Sequence, residues 1–288
     1  MTLPKLITIL GPTASGKSTL GIEMAIKQNG EIVSADSRQV FRGLDIGSGK
    51  VTKTEQAQVK HHLLDVVDPE EEFSVSHFQK LAFDAINDIL RREKQPFLVG
   101  GTAQYIYSVI DNYNFVEVPP NAILRKKLEQ KSLSQLQAMV PVDSLNNDDY
   151  KNPRRLIRTI EKLEAGVLIG PLKGPQKYDN TVLGIDIPRD ELYKKIDQRV
   201  DERIKQGMIE EVEKLRHDGV SDKWLVNLGL EYKWITEHLQ GKYSQEEMIT
   251  RLKGAIHAFS RKQMTWFKKD KRINWVTKKS IEKITRFI

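Results

Sequence analysis

Gly11-Pro12-Thr13-Ala14-Ser15-Gly16-Lys17-Ser18 satisfies the spacing G-x-x-x-x-G-K-[ST], and the chemistry it suits is the binding of phosphate. The glycines let backbone N–H groups close around phosphate oxygens, Lys17 supplies a full charge, and the Ser18 hydroxyl can ligate Mg²⁺. An ordinary Gly-rich turn is the alternative, but a strand-like run before the loop and a helix-like run after it favour the phosphate loop. Asp36, with Ser37, Arg38 and Gln39 after it, is a second candidate. Ligands of open parallel sheets sit at the carboxyl ends of strands, so a carboxylate there reaches the crevice of the phosphate loop. A lone Asp after a strand is otherwise a turn or capping residue. Gly100-Gly101-Thr102 offers a bare backbone and a hydroxyl, or a plain strand-to-helix turn. Arg199 and Arg203 fall one helical turn apart and can reach a common anion.

These residues need elements to hold them. Residues 6–10 read as a buried strand, 19–26 as the helix after the loop, and 31–35 as a second strand. The stretch 41–50, rich in glycine and polar residues, reads as a long, mobile loop on the active face. Residues 61–66 form a short candidate strand whose adjacent histidines face opposite ways, so a paired metal site is not expected. Asp65 and Asp68 stand where a Walker-B carboxylate could lie, although the apolar run beside them is short. From Ser76 the apolar period is helical, through Phe78, Leu81, Ala82, Ala85, Ile86, Ile89 and Leu90. Residues 97–99 begin another strand.

Composition changes at Val118-Pro119-Pro120, and from there to about Pro175 the chain reads as helices closed by the pairs Gly170-Pro171 and Gly174-Pro175. One helix starts at Asn152-Pro153 and clusters Arg154, Arg155 and Arg158 opposite Leu156, Ile160 and Leu163. That face is either an RNA surface or simply solvated. Residues 181–187 return as strand, and a long charged helix carrying Ile196, Val200, Ile204 and Met208 comes after it. Helical pattern then runs to Trp266-Phe267, and 273–276 is a last short strand. The pattern predicts an α/β fold: a P-loop NTPase-like parallel-sheet core, residues 1–115 and 180–288, with a helical insertion domain, 116–179.

The 288 residues are 30% charged and 39% hydrophobic, the balance of a globular chain. No apolar run approaches a bilayer span and no secretory pattern opens the chain, so no membrane and a cytoplasmic site are expected. With no cysteine, disulfides and thiolate chemistry are excluded. The net charge of +7 suits a polyanion such as RNA, or a basic surface without a partner.

Taken together, the 11–18 loop, Ser34-Ala35-Asp36-Ser37-Arg38-Gln39, Arg42-Gly43-Leu44-Asp45-Ile46-Gly47, His61-His62-Leu63-Leu64-Asp65, Gly100-Gly101-Thr102 and Gln263-Met264-Thr265-Trp266-Phe267 resemble the tRNA dimethylallyltransferases. The resemblance covers essentially the whole chain. It implies transfer of a dimethylallyl group from dimethylallyl diphosphate to N6 of adenosine 37, beside the tRNA anticodon, with Mg²⁺. It implies Asp36 as general base, and Thr102 and Arg203 with Lys17 and the loop amides at the leaving diphosphate. RNA contacts are implied at Asp36, Ser37, Arg38, Gln39, Thr102 and around Arg125; the basic Arg154, Arg155 and Arg158 are added from charge. The expected partners are the anticodon stem-loop of tRNA and the prenyl diphosphate, with the enzyme a monomer.

Three places depart from the family pattern. Ala103-Gln104 stand where Gly usually comes after Gly-Gly-Thr, Gly229-Leu230-Glu231 where Gly-Tyr-Lys or Gly-Tyr-Arg is usual, and His257-Ala258 where Arg-Gln is usual. Leu230 cannot stack on a base and Glu231 would repel phosphates, which predicts weaker RNA engagement unless Tyr232-Lys233, two positions later, serve instead. Two other functions share the loop: a small-molecule kinase using ATP, indifferent to tRNA, and a non-catalytic, nucleotide-switched RNA-binding module.

Overall fold

The computed structural model describes residues 2–116, 118–141, 145, 147–167 and 173–277; the Gly170-Pro171 pair lies outside them. Near-continuous apolar runs become strands buried on both faces, as a parallel sheet covered by helices requires. Among the described residues, β1 (Lys5–Leu10), β2 (Gly30–Ala35), β3 (His61–His62), β4 (Gln95–Gly100), β5 (Asp179–Ile185) and β6 (Asn274–Val276) form one sheet. Its order is β3-β2-β4-β1-β5-β6 and every pairing is parallel. Leu10 and Ala35 both lie in register with Gly100, so β1, β2 and β4 end level. The 11–18 loop, Asp36 and Thr102 succeed these three strands in turn, and all of them therefore leave the sheet along one edge.

α1 (Lys17–Lys27) buries Leu20, Met24 and Ala25 in a cluster with Ile7, Ile9, Ile32, Phe97 and Val99. The alternate residues Leu6, Leu10, Val33 and Leu98 are equally buried and belong to the other face. α2 (Lys53–Gln58) is closed by a capping box between Thr52 and Glu55. α3 (Val75–Arg91) is capped by Ser74 and packs Phe78, Ala82, Ile86 and Ile89 inward, while Leu81, at the edge of the expected stripe, is exposed. α4 (Ala103–Ile110) starts directly after Thr102.

The chain divides into two compact units, Met1–Asp111 with Gln176–Ile288, and Asn112–Pro175. The second unit holds α5 (Ala122–Leu128), α6 (Leu133–Gln137), α7 (Asn147–Tyr150) and α8 (Pro153–Glu164). Its own core is Leu128, Leu136, Val140, Leu156, Ile157 and Ile160. α8 starts where Asn152 accepts from the Arg154 and Arg155 amides, with Pro153 in the first turn.

In the first unit α9 (Arg189–Lys205) is shorter than the apolar spacing suggested. Gly207 at φ 98 ends it, and Met208 opens a separate helix, α10 (Met208–His217). α11 (Asp222–Leu228), α12 (Leu230–Leu239) and α13 (Gln245–Phe267) complete this layer. Val200, Met208, Val212, Tyr232, Ile235 and Leu252 pack around Val40, Phe41 and Leu44, so a second core lies under the 41–50 loop. The expected 61–66 strand pairs only at His61–His62, because Leu63 (φ 64) and Asp65 (φ 55) leave the extended region.

Candidate active site

The phosphate-type loop is built from alternating handedness. Ala14 (φ 60) and Gly16 (φ 90) lie in the left-handed region, the alternation from which an anion-binding nest of backbone N–H groups is built at the start of α1, while the Ser15 N–H donates to the Pro12 carbonyl at 3.3 Å. The Thr13 N–H is committed elsewhere: it donates to Gln263 Oε1 at 3.0 Å, and Gln263 Nε2 donates to the Gly101 carbonyl at 2.8 Å. One buried amide side chain on α13 therefore joins the loop after β1 to the loop after β4. A Cβ on Gly101 would meet Gln263 Nε2 at 2.6 Å, so the bare backbone foreseen there admits this side chain. Ser15 Oγ is buried under the loop without a hydrogen-bond partner.

Lys17 donates to the Pro12 carbonyl at 3.4 Å and lines a cavity with Ser18, Asp36, Thr102, Arg199 and Arg203. Desolvation, opposed by Asp36 and reinforced by Arg199 and Arg203, lowers the Lys17 ammonium to about 8. Burial first, then the neighbouring Arg203, lowers Arg199 to about 10; burial lowers Arg203 as well. These cations crowd one another with few anions to offset them, which is the state of a site that accepts an anion. Gly49 lies so close to both guanidiniums that a Cβ would collide with them. Arg203 Nη1 also donates to the Gly47 carbonyl at 3.3 Å.

Asp36 Oδ1 accepts from the amides of Arg38 (2.9 Å) and Gln39 (3.4 Å), so the turn aspartate and the cavity carboxylate are the same group. Thr102 Oγ1 accepts from the Ser37 amide at 3.1 Å, which ties the end of β2 to the end of β4. Arg38 and Gln39 turn inward. Gln39 bridges Ser34 Oγ (2.9 Å) and the Gly49 carbonyl (3.1 Å), and Arg38 donates to the Leu228 carbonyl at 3.0 Å.

The 41–50 loop is pinned rather than loose. Glu211 on α10 accepts from the amides of Asp45 (2.9 Å), Ile46 (2.6 Å) and Gly47 (3.0 Å) and from Tyr232 Oη (3.0 Å). Lys50 Nζ donates to the Phe41 carbonyl, Asp45 and Asp65. Asp65 is thereby spent on Lys50, and Asp68 on Arg42 at 3.0 Å; neither lines the cavity, against the Walker-B expectation.

The departure at Leu230-Glu231 reads differently in place. Glu231 is 6% exposed and faces Arg38 and Arg203 rather than an outer surface, and Tyr232 is fully buried with its hydroxyl on Glu211, so it offers no ring for a base to stack on. His257 stacks on Tyr193 (centroids 4.0 Å apart) and pairs with Asp197 at 2.9 Å.

In the second unit, Arg125 (2.8 and 2.9 Å) and Arg158 (3.1 Å) converge on the buried Glu161, and Arg158 also donates to the Val118 carbonyl at 2.6 Å. Arg155 pairs with Asp149, and Arg154 is exposed. Sequence reasoning missed Gln263 as a site residue, together with Glu211 and Glu231. The motif around Gln263 was visible, but its reach of 250 positions was not.

A parallel sheet with a Gly-Lys-Ser loop after its central strand, and a carboxylate and arginines gathered at the same edge, defines an α/β protein of the P-loop type with a site for a phosphate-bearing ligand. The IPP transferase family profile matches residues 39–270. The chain is 41% identical over 280 residues to tRNA dimethylallyltransferase 1 of Geotalea daltonii, covering 94% of this chain and 90% of that one. It is 42% identical to the tRNA dimethylallyltransferase of Herpetosiphon aurantiacus, covering 92% and 88%. Among solved structures, the tRNA isopentenylpyrophosphate transferase of Bacillus halodurans superposes with TM-score 0.75 at 34% identity, over 98% of this chain and 95% of that one. The chain belongs to the IPP transferase family, whose members include these tRNA dimethylallyltransferases.

Proposed function

We propose that the protein transfers a dimethylallyl group from dimethylallyl diphosphate to N6 of adenosine 37 in tRNA, releasing diphosphate. The observation that carries this reading is that Asp36, Lys17, Thr102 and Arg203 line one cavity, within a chain of this family. A base for the attacking amine and a site for the leaving diphosphate then share one cavity. The exocyclic amine is a weak nucleophile because its lone pair is delocalised into the ring; Asp36 takes its proton as the C–N bond forms. The allylic C–O bond breaks, and the charge gathering on the diphosphate is met by Lys17, Arg203 and the amides of the loop. The Thr102 hydroxyl, fixed by the Ser37 amide, borders the place of transfer. The target base must leave its stack to reach this depth.

Among the described residues no group of three or more His, Cys, Asp or Glu could hold a metal ion. The Ser18 hydroxyl lines the cavity beside Lys17, and a single protein oxygen there suits Mg²⁺ on a diphosphate, because that ion takes most of its oxygens from phosphate and water. Ser18 would supply one oxygen, and the ion would offset charge on the leaving group. Of Arg125, Arg154, Arg155 and Arg158, Arg154 is exposed and without a carboxylate partner among the described residues, which makes it the one best placed for an RNA phosphate. Incubating unmodified tRNA with the protein, Mg²⁺ and dimethylallyl diphosphate, then digesting to nucleosides for mass spectrometry, should yield N6-(dimethylallyl)adenosine. An unchanged tRNA beside ATP turnover on a small acceptor would replace this reading with that of a kinase.

A further inference from the structure

Glu231 is a buried carboxylate lining the cavity that holds Lys17, Arg199 and Arg203. It stands in the first turn of α12, directly after Gly229 (φ 80) and Leu230 (φ 43). A left-handed Leu is costly, and the strain falls where the chain must deliver this side chain into the site. Its two ion pairs are loose: Oε1 is 3.8 Å from Arg203 Nη1, and Oε2 is 3.5 Å from Arg38 Nη1. Oε2 is buried without a hydrogen-bond partner. The buried Glu31, by contrast, closes on Lys94 at 2.8 Å and on His62 at 2.7 Å. Of the charges that favour the Arg203 cation, Glu231 is the largest, and it supports Arg199 too.

A carboxylate at this distance holds the arginine's charge without holding its geometry. A buried arginine, two half-buried cations and a nest of amides would grip a diphosphate firmly, and firm binding of a product slows turnover. We propose that Glu231 is a built-in competitor for Arg203, yielding it to the diphosphate and reclaiming it afterwards, so that it sets diphosphate affinity and hastens release. The inference rests on the reading of this cavity as the diphosphate site.

Calorimetric titration of inorganic pyrophosphate with Mg²⁺ into the whole protein tests it. Glu231→Gln, which keeps the shape and removes the charge, should bind pyrophosphate at least about tenfold tighter (about 1.4 kcal/mol). The ratio of its single-turnover rate constant to its steady-state kcat should rise, because release becomes slower. A purely structural glutamate would leave that ratio alone and weaken binding as Arg203 lost its place. Equal or weaker binding by the folded variant overturns the proposal. Should Glu231→Gln fail to fold, Glu231→Asp draws the charge back from Arg203 and must show a smaller tightening in the same direction; no tightening overturns it. A wild-type protein that binds no pyrophosphate removes the underlying reading of the site, an outcome distinct from binding that Glu231 does not tune.

Discussion

Two backbone amides hold Asp36 at the end of β2, and the role given to this carboxylate separates cleanly from phosphate binding. Asp36→Ala should slow single-turnover transfer by about 10²–10⁴-fold while pyrophosphate still binds; a rate within a few-fold of wild type would remove the base. Lys17 carries a pH signature. Its folded value, about 8, lies below the 10.5 of an ordinary lysine, so between these values the unfolded chain holds more protons and stability rises with pH. An anion reverses this by restoring the charge. Pyrophosphate should therefore bind at full strength below about pH 8 and progressively less well above it, and Lys17→Arg should flatten that fall. Calorimetry across pH 7 to about 9.5 reads both curves. At this scale the motif residues were legible because their roles are local: a loop, a strand end, a helix start. Glu231 was not: the family pattern set it against RNA phosphates, and only the fold turns it toward Arg38 and Arg203.

Among elements, three successive amides of the 41–50 loop, those of Asp45, Ile46 and Gly47, share a single carboxylate, Glu211. Glu211→Ala leaves three amides and the Tyr232 hydroxyl without their acceptor, at a cost of about 1–3 kcal/mol in urea denaturation. Because the same loop places Gly47 and Gly49 against Arg203, pyrophosphate affinity should fall as well. A stability loss with unchanged affinity would separate the loop from the site. The basic face of α8 divides into unlike parts. Arg154→Ala should lower the slope of log affinity for tRNA against log salt by about 1 and leave the melting temperature alone. Arg158→Ala should destabilise the unit, since Glu161 and the Val118 carbonyl lose a donor. An unchanged salt slope in Arg154→Ala would return this face to plain solvation. Helix periods in the sequence announced most of these elements. The break between α9 and α10 could have been read from Gly207, but a continuous apolar period through Ile204 and Met208 hid it.

At the scale of the molecule, strand order was beyond the sequence, because β1 lies between β4 and β5 and neither is its neighbour along the chain. No helix among the described residues is long and apolar enough to cross a membrane. The Gln263 bridge has a consequence for how the protein is made. Thr13 leaves the ribosome early, and its hydrogen-bond partner emerges 250 positions later. At about 5–20 residues per second that interval is about 12–50 seconds, during which the loop exists without its clasp. β1 likewise waits for β5 before its second edge is covered. A chain released before residue 263 would carry every residue of the phosphate motif and Asp36, yet lack the stitch between the loops that bear Lys17 and Thr102. Completion of synthesis thus decides when the two loops are joined: a chain cut before α13 also leaves open the edge of β5 that β6 covers, and it should bind pyrophosphate more weakly than the whole protein in a calorimetric titration.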